Sequence, residues 1–137
     1  MPSLPHVLVA EDNALVADAM RLLFEETGHR VTTAGSIVDT VAAAAGDEVD
    51  LLLLDLGLSD GDGLTVLTEL ASRNALPRVT VALTGRDEQE ISDRCLAAGC
   101  RAVMLKPVPV GELLRKSKEW LAGPSESQST GSASTRL

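Results

Sequence analysis

Leu51-Leu52-Leu53-Leu54, bounded by Asp50 and Asp55, decides the fold. Four apolar residues without alternation are too few for a helix, so the run predicts a strand buried on both faces. Such strands belong to parallel sheets covered by helices on each side. Working outward, the same grammar repeats. His6–Ala10, Arg30–Thr33, Val79–Leu83 and Arg101–Leu105 are further short β-branched or Leu-rich runs. Helical patterns separate them. In Asn13–Thr27 the residues Leu15, Met20, Leu22, Leu23 and Phe24 recur at roughly helical spacing, and Gly28 fits the helix end. Ser36 reads as an N-cap before Ile37–Ala45. Leu64–Arg73 is a third helix, Asp87 is expected to cap a fourth running to about Ala98, and Val110–Leu121 is the last.

Five strands alternating with five helices indicate an α/β doubly wound fold with a parallel sheet. The chain of 137 residues has room for one such domain, here residues 1–122. The Ser- and Gly-rich segment 123–137 has the composition of a solvated tail. It carries Glu126 and Arg136, so the formal charge of −8 belongs to residues 1–122.

Composition narrows the function. Twenty acids against twelve bases, one Phe, one Trp and no Tyr argue against direct nucleic-acid binding, which calls for a basic patch and often aromatics. No apolar stretch reaches the length of a membrane helix, and Met1-Pro2-Ser3-Leu4-Pro5 lacks a signal-peptide pattern, so the cytoplasm is the expected compartment and no membrane partner is expected. Cys95 and Cys100 are expected to be small buried or half-buried residues, because no His or further Cys lies near enough in sequence for a metal site.

In doubly wound sheets the site lies beyond the carboxyl ends of the strands. The residues there share a chemical theme. Glu11 and Asp12 follow the first strand, Asp55 the third, Thr84 and Gly85 the fourth, Lys106 and Pro107 the fifth. Three close carboxylates repel one another unless a positive charge sits among them. Mg²⁺ suits such an oxygen set, together with a phosphate. Lys106 offers a point charge for a phosphoryl oxygen, Thr84 a hydroxyl donor, and Gly85 a close backbone approach. The set suits phosphoryl transfer to a carboxylate. Each residue also has a plainer reading: Asp12 or Asp55 as a cap or turn residue, Thr84 as a helix cap, Lys106 as a surface charge.

At this point a resemblance becomes specific. Over about residues 5–122 the chain resembles the receiver domain of two-component response regulators. Val7-Leu8-Val9-Ala10-Glu11-Asp12-Asn13 is similar to the family's first strand and acidic pair. Leu53-Leu54-Asp55 through Gly63 is similar to its phosphoacceptor loop, with a glycine eight residues after the aspartate. Ala82-Leu83-Thr84-Gly85, Ala98-Gly99 and Leu105-Lys106-Pro107 complete the pattern. The resemblance implies a flavodoxin-like (βα)5 fold with strand order 2-1-3-4-5. It implies that Asp55 accepts a phosphoryl group from a sensor histidine kinase or a histidine phosphotransfer protein. Asp12, Asp55 and the Gly57 carbonyl would ligate Mg²⁺, with Glu11 acting through bound water. Lys106 and Thr84 would contact the phosphoryl oxygens, Thr84 as the switch hydroxyl, and Lys106–Pro107 is usually cis. Such a module is no enzyme towards other substrates; it catalyses only its own phosphorylation and dephosphorylation. Its downstream protein partner would dock on the fourth helix, fifth strand and fifth helix.

Departures from the family pattern are local. Val103 stands where Tyr or Phe usually partners the switch Thr, Ser59 where Pro is common, and Val108 where Phe often follows Lys-Pro. Gly57 and Arg86 occupy positions that tune dephosphorylation. The competing classes are a pseudo-receiver that binds partners without phosphorylation and, more weakly, an Asp-nucleophile phosphatase suggested by Asp60-Gly61-Asp62. The phosphatase class needs its two acids just after the first strand, where Glu11-Asp12-Asn13 stands instead. Asp60 and Asp62 therefore read as turn residues. His6 and His29 are unsuited as phosphodonors, and Arg115, Lys116 and Lys118 read as a solvated helix face. Trp120 fits either packing or a partner anchor.

Overall fold

The structure is a computed structural model, and it describes residues 4–122. The segment 123–137, expected to be a tail, lies outside the described residues. Five strands form one parallel sheet: β1 (His6–Ala10), β2 (Arg30–Ala34), β3 (Leu51–Asp55), β4 (Val79–Thr84) and β5 (Ala102–Leu105), in the order β2-β1-β3-β4-β5. The helices are α1 (Ala14–Glu26), α2 (Ile37–Gly46), α3 (Thr65–Ser72), α4 (Gln89–Ala97) and α5 (Val110–Leu121).

The Leu51–Leu54 run shows why the sheet has two covered faces. Its side chains alternate, and all four are fully buried. Leu52 and Leu54 join Leu8, Ala10 and Ala82 under Val41, Leu67, Leu70 and Cys95, so α2, α3 and α4 cover that face. Leu51 and Leu53 join Val7, Val9, Val81 and Leu83 under Phe24, Leu113 and Trp120, so α1 and α5 cover the other. Each buried leucine contributes about 1.5–3 kcal/mol relative to an exposed one. Trp120 and both cysteines are core residues, which resolves the tryptophan in favour of packing.

Local signals set most boundaries. Asn13 Oδ1 accepts from Leu15 N and Val16 N at 3.0 and 3.1 Å, and Ser36 Oγ from Asp39 N at 3.0 Å, so both act as N-caps. Gly28 and Gly99 follow α1 and α4 with φ of 93° and 106°, the left-handed region where a Cβ is costly.

Two expectations shift. Asp87 does not cap α4: the helix begins at Gln89, Glu88 holds the capping position, and no side chain bonds the helix start. The turn before it is instead closed by Thr84 Oγ1, which accepts from Arg86 N at 3.1 Å. Asp55 and Thr84 are the last residues of their strands rather than the first beyond them, because the ladder continues through Asp55 opposite Leu83 and Thr84 opposite Leu105.

Candidate functional site

The central strands end in polar residues whose backbone is still fixed by the ladder. Glu11 N donates to Ala34 O at 2.9 Å, Leu56 N to Leu83 O at 3.0 Å, and Lys106 N to Thr84 O at 2.7 Å. Side chains on these residues therefore start from a rigid platform. Glu11, Asp55 and Thr84 are buried, whereas Asp12 is exposed. One oxygen from each of Glu11, Asp12 and Asp55 lies within 4.8 Å of the others.

Lys106 Nζ meets Asp55 Oδ2 at 2.9 Å and Glu11 Oε1 at 3.4 Å, with a third of the lysine side chain exposed. The Lys106–Pro107 peptide is cis, as expected. Asp55 Oδ1 accepts from Gly57 N at 2.9 Å, and Glu11 Oε2 from Asn13 N at 3.0 Å. Both oxygens of each buried carboxylate are thus oriented. A cavity of about 660 Å³ opens over the cluster, lined also by Thr84, Gly85, Arg86 and Arg94.

The electrostatics follow from this crowding. Burial pushes the Glu11 carboxyl above the usual glutamate range, and the Asp55 charge adds to the push; the Asn13 amide and Lys106 oppose it only in part. Burial alone would lower Lys106, but Asp55 and Glu11 together outweigh it and hold the ammonium above its ordinary value. Lys106 pairs with Glu11 and Asp55, while Arg86 and Arg94, which line the same cavity, pair with Glu88 and Asp62, so the three clustered carboxylates share a single paired cation.

Gly63 shapes the loop by what it lacks. A Cβ there would lie 2.9 Å from the Asp55 carbonyl oxygen and 3.0 Å from Leu56 Cα, both backbone atoms. Asp60 and Asp62 are loop residues, as expected, but each also reaches a helix. The Asp60 carboxylate accepts from Ile37 N at 2.9 Å and caps α2 from across the loop, and these amides hold it below the usual aspartate range. Asp62 Oδ2 accepts from Arg94 Nη2 at 2.7 Å. No local signal announced either link, since both join residues more than twenty positions apart.

A family model described as the response regulator receiver domain matches residues 7–118. The chain belongs to that family. It is a receiver domain of the two-component response regulator type. The KDP operon transcriptional regulatory protein KdpE of Escherichia coli (strain K12) is 34% identical over 108 residues, which cover 79% of this chain and 47% of the relative. A CheY-like receiver domain protein from Methanospirillum hungatei JF-1 is 29% identical with a TM-score of 0.80, covering 88% of this chain and 95% of that one. The receiver domain of a sensor histidine kinase from Pseudomonas aeruginosa PAO1, described with magnesium coordinated in its active site cleft, is 26% identical with a TM-score of 0.77, covering 89% and all of that chain (100%).

This receiver spans about half the length of the curated relatives it matches. Those relatives are named as transcriptional regulators. The expectation of no direct nucleic-acid contact therefore stands beside relatives that are transcriptional regulators, and it reaches no further than the receiver itself. Among the described residues, no helix is long and apolar enough to cross a membrane. Val103, in place of an aromatic, is half-buried on β5 against the core beneath α4.

Proposed function

We propose that this receiver, assigned to residues 1–122, takes a phosphoryl group on Asp55 from a phosphohistidine of a sensor kinase or phosphotransfer protein. The observation that carries it is the buried Asp55 carboxylate, 2.9 Å from Lys106 Nζ and clustered with Glu11 and Asp12 at the carboxyl end of the sheet. In the transfer an Asp55 oxygen forms the new P–O bond as the donor's P–N bond breaks. The electron pair of that bond leaves with the imidazole. Lys106 meets the charge carried by the phosphoryl oxygens, and the Thr84 hydroxyl turns from the Arg86 amide to donate to them.

The donor set fits a hard divalent cation, because carboxylate oxygens of Glu11, Asp12 and Asp55 lie within 4.8 Å of one another. Glu11 (through water), Asp12, Asp55 and the Gly57 carbonyl would hold Mg²⁺, which would supply positive charge beside the phosphoryl oxygens. Output is read by a protein partner on the α4-β5-α5 face, where Leu96, Leu105 and Val110 are each about half exposed.

The test is intact mass after incubation with acetyl phosphate and Mg²⁺, with Asp55→Asn and excess chelator as controls. A single phosphate adduct on the wild type alone is expected. No adduct, even with a candidate kinase, would favour partner binding without phosphorylation. Sustained hydrolysis of a phosphate monoester, which is no phosphodonor to a receiver, would favour the phosphatase.

A further inference from the structure

Arg94 on α4 and Asp62 in the loop between β3 and α3 meet at the mouth of the Asp55 cavity. Arg94 Nη2 donates to Asp62 Oδ2 at 2.7 Å, while Asp62 Oδ1 accepts from Leu64 N at 3.0 Å. One carboxylate thus ties α4 to the segment that follows Asp55. Both side chains line the same cavity as Asp55 and Lys106, and each is about half exposed. A pair so open to water adds little to stability, and its partners exchange readily.

A phosphoryl group on Asp55 changes the balance at this spot. It brings roughly two negative charges in place of one, on tetrahedrally arranged oxygens. A guanidinium fork matches such oxygens better than it matches one arm of a carboxylate. Arg94 lies one turn after Ile91, which lines the cavity, and next to Cys95, which is fully buried against the sheet. Arg94 is thus rooted on a helix whose inner face packs on the sheet, and a move of its head beyond the side chain's own reach is passed to α4.

We propose that Arg94 is a positioning residue for the phosphoryl group on Asp55: held on Asp62 in the unmodified protein, its guanidinium transfers to the phosphoryl oxygens and α4 follows. No covalent bond changes in this exchange, and Asp62 keeps the Leu64 amide while its other oxygen returns to water. The proposal rests on the phosphoacceptor reading and deepens it.

The test uses the full chain with Mg²⁺ and beryllofluoride, which takes the place of the phosphoryl group on a carboxylate. The Arg94 Nε–H resonance, assigned by its loss in Arg94→Lys, and the α4 amides are followed by ¹⁵N NMR. The half-life of the acetyl phosphate-derived adduct is read by intact mass. Expected are shifts of Arg94 Nε–H and of α4 on adduct formation. Arg94→Ala should shorten the half-life about two- to fivefold, the factor one half-exposed charge pair carries, with Arg94→Lys falling between it and wild type. An adduct that forms while Arg94 and α4 stay unshifted, or an Arg94→Ala half-life equal to or longer than wild type, overturns the proposal. Absence of any wild-type adduct overturns the phosphoacceptor reading instead, and this proposal with it.

Discussion

The two ends of the sheet carry polar clusters of similar extent and opposite character. At the amino end, His6 is buried with Nδ1 2.7 Å from Glu48 O and Nε2 2.8 Å from Thr32 Oγ1. Asp50 Oδ2 accepts from His6 N at 2.8 Å and its other oxygen faces Arg78 at 3.5 Å, while Asp47 pairs with Arg30 at 2.8 Å. Two carboxylates there meet two guanidiniums. At the carboxyl end three carboxylates cluster around one ammonium that pairs with two of them, Glu11 and Asp55. Cavities of about 580 and 660 Å³ lie at the two ends, so volume does not separate them. Pairing does: Asp47 and Asp50 each meet a guanidinium of their own, whereas Glu11 and Asp55 share Lys106 because Arg86 and Arg94 pair with Glu88 and Asp62. A cluster paired one to one holds strands together, whereas one that shares its cation is primed for a cation and an anionic group.

The largest test of that contrast removes the lone ammonium. Lys106→Met should slow phosphorylation by acetyl phosphate about 10²-fold, the cost of losing one preorganised charge donor, as measured by the rate of adduct formation. Next comes the loop: Gly63→Ala must move the Asp55–Leu56 backbone and is expected to cost about 1–3 kcal/mol, read by urea unfolding, with slower phosphorylation. At the opposite end, His6→Ala leaves buried polar groups unpaired and should cost about 1–3 kcal/mol while leaving adduct formation unchanged. An equal loss of phosphorylation would break the division between the two ends.

Mg²⁺ at ten times its Kd should add about 1.4 kcal/mol by mass action, a gain reversed by chelator and abolished in Asp55→Ala. The smallest effect is on pH. Glu11 is held above its usual range by burial, so the folded state binds its proton more tightly than the unfolded chain. Stability should therefore fall as pH rises from about 4.3, the ordinary glutamate value. Asp60 and Asp62 are held low by backbone amides and by Arg94 respectively, and they act in the opposite sense. Their contribution is present above the ordinary aspartate pKa and is lost as pH falls through their lowered values. Glu11→Gln should remove only the first trend, followed by thermal unfolding across pH.

The fold was legible because a strand buried on both faces has a signature that needs no knowledge of its neighbours. Leu51–Leu54 announces it, and the alternation of runs and helical patterns does the rest. The strand-end rule then located Glu11, Asp12, Asp55, Thr84 and Lys106 together. Element ends were less legible at Asp87, since which residue closes a turn depended on Thr84 reaching the Arg86 amide.

Sequence by itself determined which residues stand at the carboxyl ends of the strands, because strand positions and chain direction follow from local patterns; the order of the strands was implied only by the family resemblance. Tertiary structure decided how they are used. Only the packed sheet buries Glu11 and leaves Asp12 in water, brings Lys106 to Glu11 across 95 positions, and lets Asp60 cap a helix 23 positions before it. Asp62 and Arg94, 32 positions apart, belong with these. Such contacts are set by the geometry of the closed fold, and no periodicity along the chain encodes them.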